Sequence, residues 1–290
     1  MFIFDPRTTP ARPNLAAAHL AGKVNATRFV EGRAMHVATE LTDLHRAPDP
    51  DAPVDTQILF GENLTLYDTQ DGWGWVQLAG DDYVGYVAMS ALAEGDVRAT
   101  HRVTANRTFI YPRPDIKAPV LAALPLGAEV EVSGADGNFA KLASGGFVIA
   151  LHLMRADETA DDFVAIAEGF HGTPYLWGGK SCLGLDCSGL VQIALGQIGV
   201  AAPRDTDLQQ TALGVSVPIK AVEDGLQRGD LIYWKGHVGI MRDAETLLHA
   251  NAHHMLVASE PLSAPRARIL SKGAGDITAI KRLPYEPLSF

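Results

Sequence analysis

At 290 residues the chain has room for two domains, or for three small ones. Its make-up, 47% apolar and 20% charged with 28 Gly and 17 Pro, is that of a globular protein, and the net charge of -10 argues against a nucleic-acid partner, which would favour clustered Lys and Arg. No apolar run approaches the ~18 residues that span a bilayer, so no membrane partner is expected, and the two cysteines, Cys182 and Cys187, exclude a disulfide framework and point to a reducing compartment.

The stretch Met1–Arg7 lacks a basic segment followed by an apolar one, so a cytoplasmic location is expected. Residues 1–33 carry Pro6, Pro10 and Pro13 and then the Ala/Leu-rich run Leu15–Leu20. They predict an N-terminal arm with one short helix, packed on the domain that follows. From 34 to 155, short alternating runs such as Asn63-Leu64-Thr65-Leu66-Tyr67 and Trp75-Val76-Gln77-Leu78 predict β-structure. A weak repeat runs through this region. Ile58–Glu62 resembles Leu124–Ala128, and Tyr83–Val87 resembles Phe147–Leu151, at offsets of 66 and 64 residues. The offsets match the size of one small barrel and predict two SH3-like barrels, over 34–96 and 97–155.

Residues 156–290 change character. A helix is expected over Asp157–Gly169, opened by Asp157 or Thr159, with Phe163, Ile166 and Ala167 at helical spacing. After the loop Gly172–Gly179, a second helix starts at Cys187. It carries Leu190, Val191, Ala194, Leu195 and Ile198 on one face, and Asp186 suits its N-cap. Strands Asp230–Trp234 and His237–Met241 follow, joined by a tight Lys235-Gly236 turn, and then a third, Thr246–Ala250. Helices followed by an antiparallel sheet make this an α+β domain.

The chemistry gathers at Cys187. A thiol attacks as thiolate, and free cysteine titrates near ~8.5. The positive end of the helix and a nearby imidazolium would each lower that value. Gly189 permits close backbone approach in the first helical turn. His237 opens its strand on the same face as Gly239 and Met241, with Val238 and Ile240 on the other. His249, one strand later, can bond the other ring nitrogen of His237 and set its tautomer. His253 and His254 follow Asn251 in a turn and read as solvated loop residues. Cys182 has no helix behind it and reads as a small buried hydrophobe. Cys187 and the histidines lack Cys-x-x-Cys or His-x-x-x-His spacing, so neither a metal nor another cofactor is expected.

The strings Pro174-Tyr175-Leu176-Trp177-Gly178-Gly179, Gly184-Leu185-Asp186-Cys187-Ser188-Gly189-Leu190-Val191, Arg228-Gly229-Asp230-Leu231, His237-Val238-Gly239-Ile240 and Leu248-His249-Ala250, in that order, resemble the NlpC/P60 family of cell-wall peptidases. The resemblance implies a papain-like core with Cys187 as nucleophile, His237 as general base, His249 as the orienting third residue and Tyr175 beside the oxyanion. Two SH3-like barrels ahead of such a domain resemble the γ-D-glutamyl-L-diamino acid endopeptidases, dipeptidyl-peptidase VI among them. That implies cleavage of free murein peptides beginning L-Ala-γ-D-Glu, before meso-diaminopimelate or Lys, in peptide recycling; a monomer is expected. The substrate ammonium then needs a carboxylate and further acceptors. Asp186 and Ser188 flank the nucleophile, and Arg204-Asp205-Thr206 resembles the group's Arg-Asp-Ser, with Thr206 keeping the hydroxyl. Tyr83 resembles the group's cleft-bordering barrel tyrosine, and Asp55 or Glu62 is the candidate barrel acid. The alternative is a hydrolase of polymeric peptidoglycan whose SH3-like modules bind the wall.

Overall fold

A computed structural model describes residues 4–223 and 225–284; the outermost residues of the expected arm and of the expected catalytic domain, 1–3 and 285–290, lie outside them. The chain divides into two compact units, Met1–Glu158 and Thr159–Phe290. The division falls three residues later than 155/156 because the backbone N–H of Ala156 is still tied to the Thr100 carbonyl at 2.9 Å.

The N-terminal arm differs from the expected short helix. Leu15–Ala17 is a strand, antiparallel to Ala11–Arg12 and parallel to Phe29–Val30, and only Ala18–Leu20 forms a single 3-10 turn. Pro10 and Pro13 bias their preceding residues toward extended backbone, and Pro13-Asn14 makes the turn between the first two strands. Leu15, Ala16 and Ala17 are wholly buried, as in a strand covered on both faces. The arm lies along the module that follows. The Arg7 carbonyl accepts from the Val84 N–H at 2.7 Å, and the Arg12 guanidinium sits 4.5 Å over the Trp75 ring while it donates to the Tyr86 hydroxyl and pairs with Asp68.

The first β-module is a seven-stranded sheet in the order 92–94, 33–37, 63–70, 73–78, 84–88, 41–45, 54–59. Its alternation puts Leu64, Leu66, Val76 and Leu78 into a core shared with Val37 and Ile58. Residues 101–155 form three small sheets around a second core of Val103, Leu124, Val130, Leu142 and Val148. One turn recurs in both modules. Gly61 donates to the Val37 carbonyl and Gly127 to the Val103 carbonyl, each at 2.9 Å, and Val37 and Val103 donate back to Glu62 and Ala128. Both glycines have positive φ, 81° and 90°, which only glycine adopts without strain.

In the second unit, helix α1 is Phe163–Glu168 and starts later than expected. Of the acids that precede it, Asp162 caps it, accepting from the Val164 and Ala165 N–H groups at 2.8 and 3.1 Å. Helix α2 is Cys187–Gln197, α3 is Thr206–Ala212 and α4 is Ser263–Ser271. The sheet is six-stranded and antiparallel in the order 215–217, 279–282, 231–234, 237–241, 246–251, 256–261. Its core joins Ile232, Trp234, Met241, Leu247 and Ile280. Helix α2 packs against strand His237–Met241, which brings the helix mouth to the strand that begins with His237.

Candidate active site

Three local choices place Cys187. Asp186 takes extended backbone and accepts from the Gly189 N–H at 2.7 Å, which starts the helix one residue later, at the cysteine. The other Asp186 oxygen accepts from the Gly178 N–H at 2.9 Å and holds the Gly178-Gly179 loop over the first turn. Gly189 allows that approach, since a Cβ there would lie 2.3 Å from the Gly179 carbonyl oxygen.

Beneath the cysteine lies a buried ion pair. Arg204, 1% exposed, donates to both Asp186 oxygens at 3.0 and 2.6 Å and to Ser188 Oγ at 2.8 Å. Gln209 ties the same segment down by donating to the carbonyls of Ser188 and Pro203 at 3.0 and 2.8 Å. Asp186 thus accepts from two backbone N–H groups, Ser188 Oγ and a bidentate guanidinium, which exhausts its acceptor positions. Asp186, expected to form part of the substrate's N-terminal site, is thus engaged as helix cap and partner of Arg204. Arg204 is likewise committed. Asp205 begins α3 without capping it through its side chain, and Thr206 is the first helical residue.

His237 Nε2 lies 2.8 Å from His249 Nδ1, and His249, 1% exposed, places its Nε2 2.9 Å from Glu260 Oε1. Arg268, on α4, donates to both oxygens of Glu260, one bond being 3.1 Å. Sequence reasoning reached His237 and His249 but not Glu260 or Arg268. The available signal was Glu260 as the one acid in the otherwise neutral strand Leu256–Pro261. His254 sits on the rim, bonded to Asn251 Oδ1 at 3.1 Å and 3.9 Å from Glu260 Oε1, and His253 is exposed. His249, His254 and Glu260 are also near enough to one another to hold a metal ion, a grouping that Cys-x-x-Cys or His-x-x-x-His spacing does not reveal. Cys182 is partly exposed in its loop, not the buried residue expected. Tyr175 is half-buried, held by its N–H to the Met255 carbonyl at 2.9 Å. Burial and the neighbouring Cys187 and Asp186 keep its phenol protonated well above its ordinary range.

Tyr83, Asp55 and Glu62 lie in the first unit. Tyr83 is 4% exposed and packs in the core of the first β-module, Asp55 is bound by Arg46 at 2.5 and 3.2 Å, and Glu62 closes the turn before strand Asn63–Gln70.

The electrostatics differ from the expected depressed thiol pKa. Burial, then the Asp186 charge, push the Cys187 thiol up to about 12 against the N–H groups of Val238 and Ser188. Burial, then His249, press His237 down to about 3. Each group is thus held neutral over the ordinary pH range, and a thiolate here requires a base that takes the thiol proton as it forms. Between those limits the pair holds a constant number of protons. Chloroacetamide carries no titrating group, and its rate of inactivation at Cys187 is therefore expected to be level from about pH 5 to about pH 9. A sigmoid rise centred near ~8.5 would show an independent thiol instead.

Residues 172–269 match the model described as NlpC/P60 family, and residues 44–92 match the one described as bacterial dipeptidyl-peptidase Sh3 domain. The chain is 27% identical over 240 residues to dipeptidyl-peptidase 6 of Lysinibacillus sphaericus, covering 74% of this chain and 86% of that protein. It is 29% identical over 226 residues to gamma-D-glutamyl-L-lysine dipeptidyl-peptidase of Bacillus subtilis (strain 168), covering 69% and 73%. A solved NlpC/P60 family protein from Bacillus cereus ATCC 10987 shares the fold, with a TM-score of 0.72 at 20% identity over 86% of this chain and 99% of that one. A helix-mouth cysteine beside a strand-borne histidine pair, inside a segment that matches this family, leads to one conclusion: the chain carries an NlpC/P60 cysteine peptidase domain, preceded by an all-β, SH3-like region.

Proposed function

We propose that the protein hydrolyses the bond between γ-D-glutamate and a diamino acid, meso-diaminopimelate or Lys, in free murein peptides that begin with L-Ala, as a step in cytoplasmic recycling of cell-wall peptides. The observation that carries this reading is the extent of the likeness to the dipeptidyl-peptidases. It covers 69 to 74% of the chain, well beyond the catalytic segment, and takes in the SH3-like region. The occupied aromatic face of the first module supports it too. Trp75 and Tyr86 engage Arg12 of the chain's own arm, which favours a module built into the enzyme over one free to bind wall polymer. We read residues 97–155 as a second SH3-like barrel on the strength of the repeated glycine turn.

In this mechanism Cys187 Sγ attacks the γ-glutamyl carbonyl as its proton passes to His237. The Tyr175 hydroxyl, kept protonated by burial, donates to the oxyanion. His237 returns the proton to the departing amine, and water then hydrolyses the thioester with His237 again as base. Asp205 is assigned the substrate ammonium, because Asp186 is committed to Arg204. Ser188 and Thr206 supply hydroxyls. Tyr83 and Asp55 or Glu62, the further substrate contacts that the resemblance implies, belong to the first module.

The test is a comparison of three substrates. L-Ala-γ-D-Glu-L-Lys or its diaminopimelate counterpart is expected to be cleaved, its N-acetyl derivative at least about 10²-fold more slowly, and intact sacculi scarcely at all. Equal rates on the free and acetylated peptides would remove the ammonium site. Preferential release from sacculi would establish the polymer-cleaving alternative.

A further inference from the structure

We infer that Glu260, clamped by Arg268, is a positioning residue that sets the tautomers of both histidines and thereby makes His237 Nδ1 the base. The inference deepens the peptidase reading and rests on it for its kinetic part. Donors and acceptors along two successive contacts decide it. An ionised carboxylate only accepts hydrogen bonds, so at 2.9 Å from Glu260 Oε1 the Nε2 of His249 must carry the hydrogen. A neutral imidazole has one hydrogen, so His249 Nδ1 is left with a lone pair. At 2.8 Å from it, His237 Nε2 must then be the donor. That leaves the lone pair of His237 on Nδ1, the one ring atom able to take a proton from Cys187.

Two observations make Glu260 fit for this work. Its side chain is only 12% exposed, so water competes weakly for its oxygens. Burial alone would raise its pKa, but hydrogen bonds from Arg268 and His249 outweigh this and hold the carboxyl below its ordinary range. Arg268 therefore keeps Glu260 charged and fixes where it points. His249 alone, which the sequence motif reveals, does not decide the matter. An imidazole with its Nε2 unpartnered can adopt either tautomer, and the wrong one would place a hydrogen on His249 Nδ1, drive the hydrogen of His237 onto Nδ1 and abolish the base.

Nitrogen-15 NMR of histidine-labelled protein reads the tautomers directly and needs no substrate. His249 and His237 are both expected to be protonated at Nε2, and a hydrogen on His249 Nδ1 would overturn the inference. Glu260→Ala is expected to lower kcat on the peptide, and the rate of chloroacetamide inactivation, by about 10²-fold, with KM little changed. In Glu260→Gln the side-chain NH2 can face His249 Nε2 and select the wrong tautomer, so the fall should be at least as large, about 10²-fold or more. A folded Glu260→Ala protein with wild-type rates and wild-type histidine signals would overturn the role. If Glu260→Ala does not fold, the wild-type NMR decides alone. If the wild type cleaves no γ-glutamyl peptide, the proposed function falls while the NMR and alkylation results still judge this inference.

Discussion

Arg204→Met is expected to destabilise the protein by about 3–5 kcal/mol, the cost of leaving one member of a buried ion pair without its partner. Arg204 is 1% exposed and donates to both oxygens of the Asp186 carboxylate and to Ser188 Oγ. Without the guanidinium, Asp186 keeps the N–H groups of Gly178 and Gly189 but no counter-charge. Methionine fills similar volume, so the loss reports charge more than cavity. Arg204→Lys should recover part of the stability, since an ammonium keeps the charge but not the two-pronged geometry. Urea unfolding at constant m-value measures both. A loss below about 1 kcal/mol for Arg204→Met would show that the pair does not lock the helix start. Activity should fall with stability, because the residue next to Asp186 is Cys187.

Cys187→Ala is expected to do the opposite: abolish turnover while sparing the fold. The helix start does not depend on the thiol, because Asp186 caps it through its own side chain. Only one small buried atom is lost, so thermal stability should change by about 1 kcal/mol or less. The rate on the tripeptide should drop by at least about 10⁴-fold, as expected when a covalent nucleophile is removed. Cys182→Ala, in the partly exposed loop thiol, is the companion control and should retain activity. Residual turnover in Cys187→Ala above a hundredth of wild type would place the nucleophile elsewhere.

The parts of this site that were legible in the sequence are those fixed by local rules. Asp186 before an apolar helical run is a cap by side-chain chemistry, and the strand register of His237 follows from alternation. The glycine turn at Gly61 and Gly127 was legible as a repeat because positive φ restricts residue choice. What was not legible depends on contacts across the fold. Nothing near Arg204 in the chain says that its charge is buried against Asp186. Glu260 is a strand residue like others until the sheet sets it beside His249. The N-terminal helix was misread for a related reason: Leu15–Ala17 has helical composition, but pairing with Ala11–Arg12 and Phe29–Val30 decides its conformation. The start of α1 turned on which of several acids could cap while Phe163 packs into the core, and Asp162, the neighbouring residue, does so. The helix end and the imidazole near Cys187 were visible in sequence, while the depth of burial that pushes its thiol up was not.

The most direct test of the account is acid quenching of the wild-type enzyme during turnover of L-Ala-γ-D-Glu-L-Lys, followed by intact-mass and peptide-mass analysis. A thioester adduct equal in mass to L-Ala-γ-D-Glu less water is expected on the peptide that contains Cys187, with free lysine released. An adduct on another residue, or products cut at the L-Ala-γ-D-Glu bond, would contradict it.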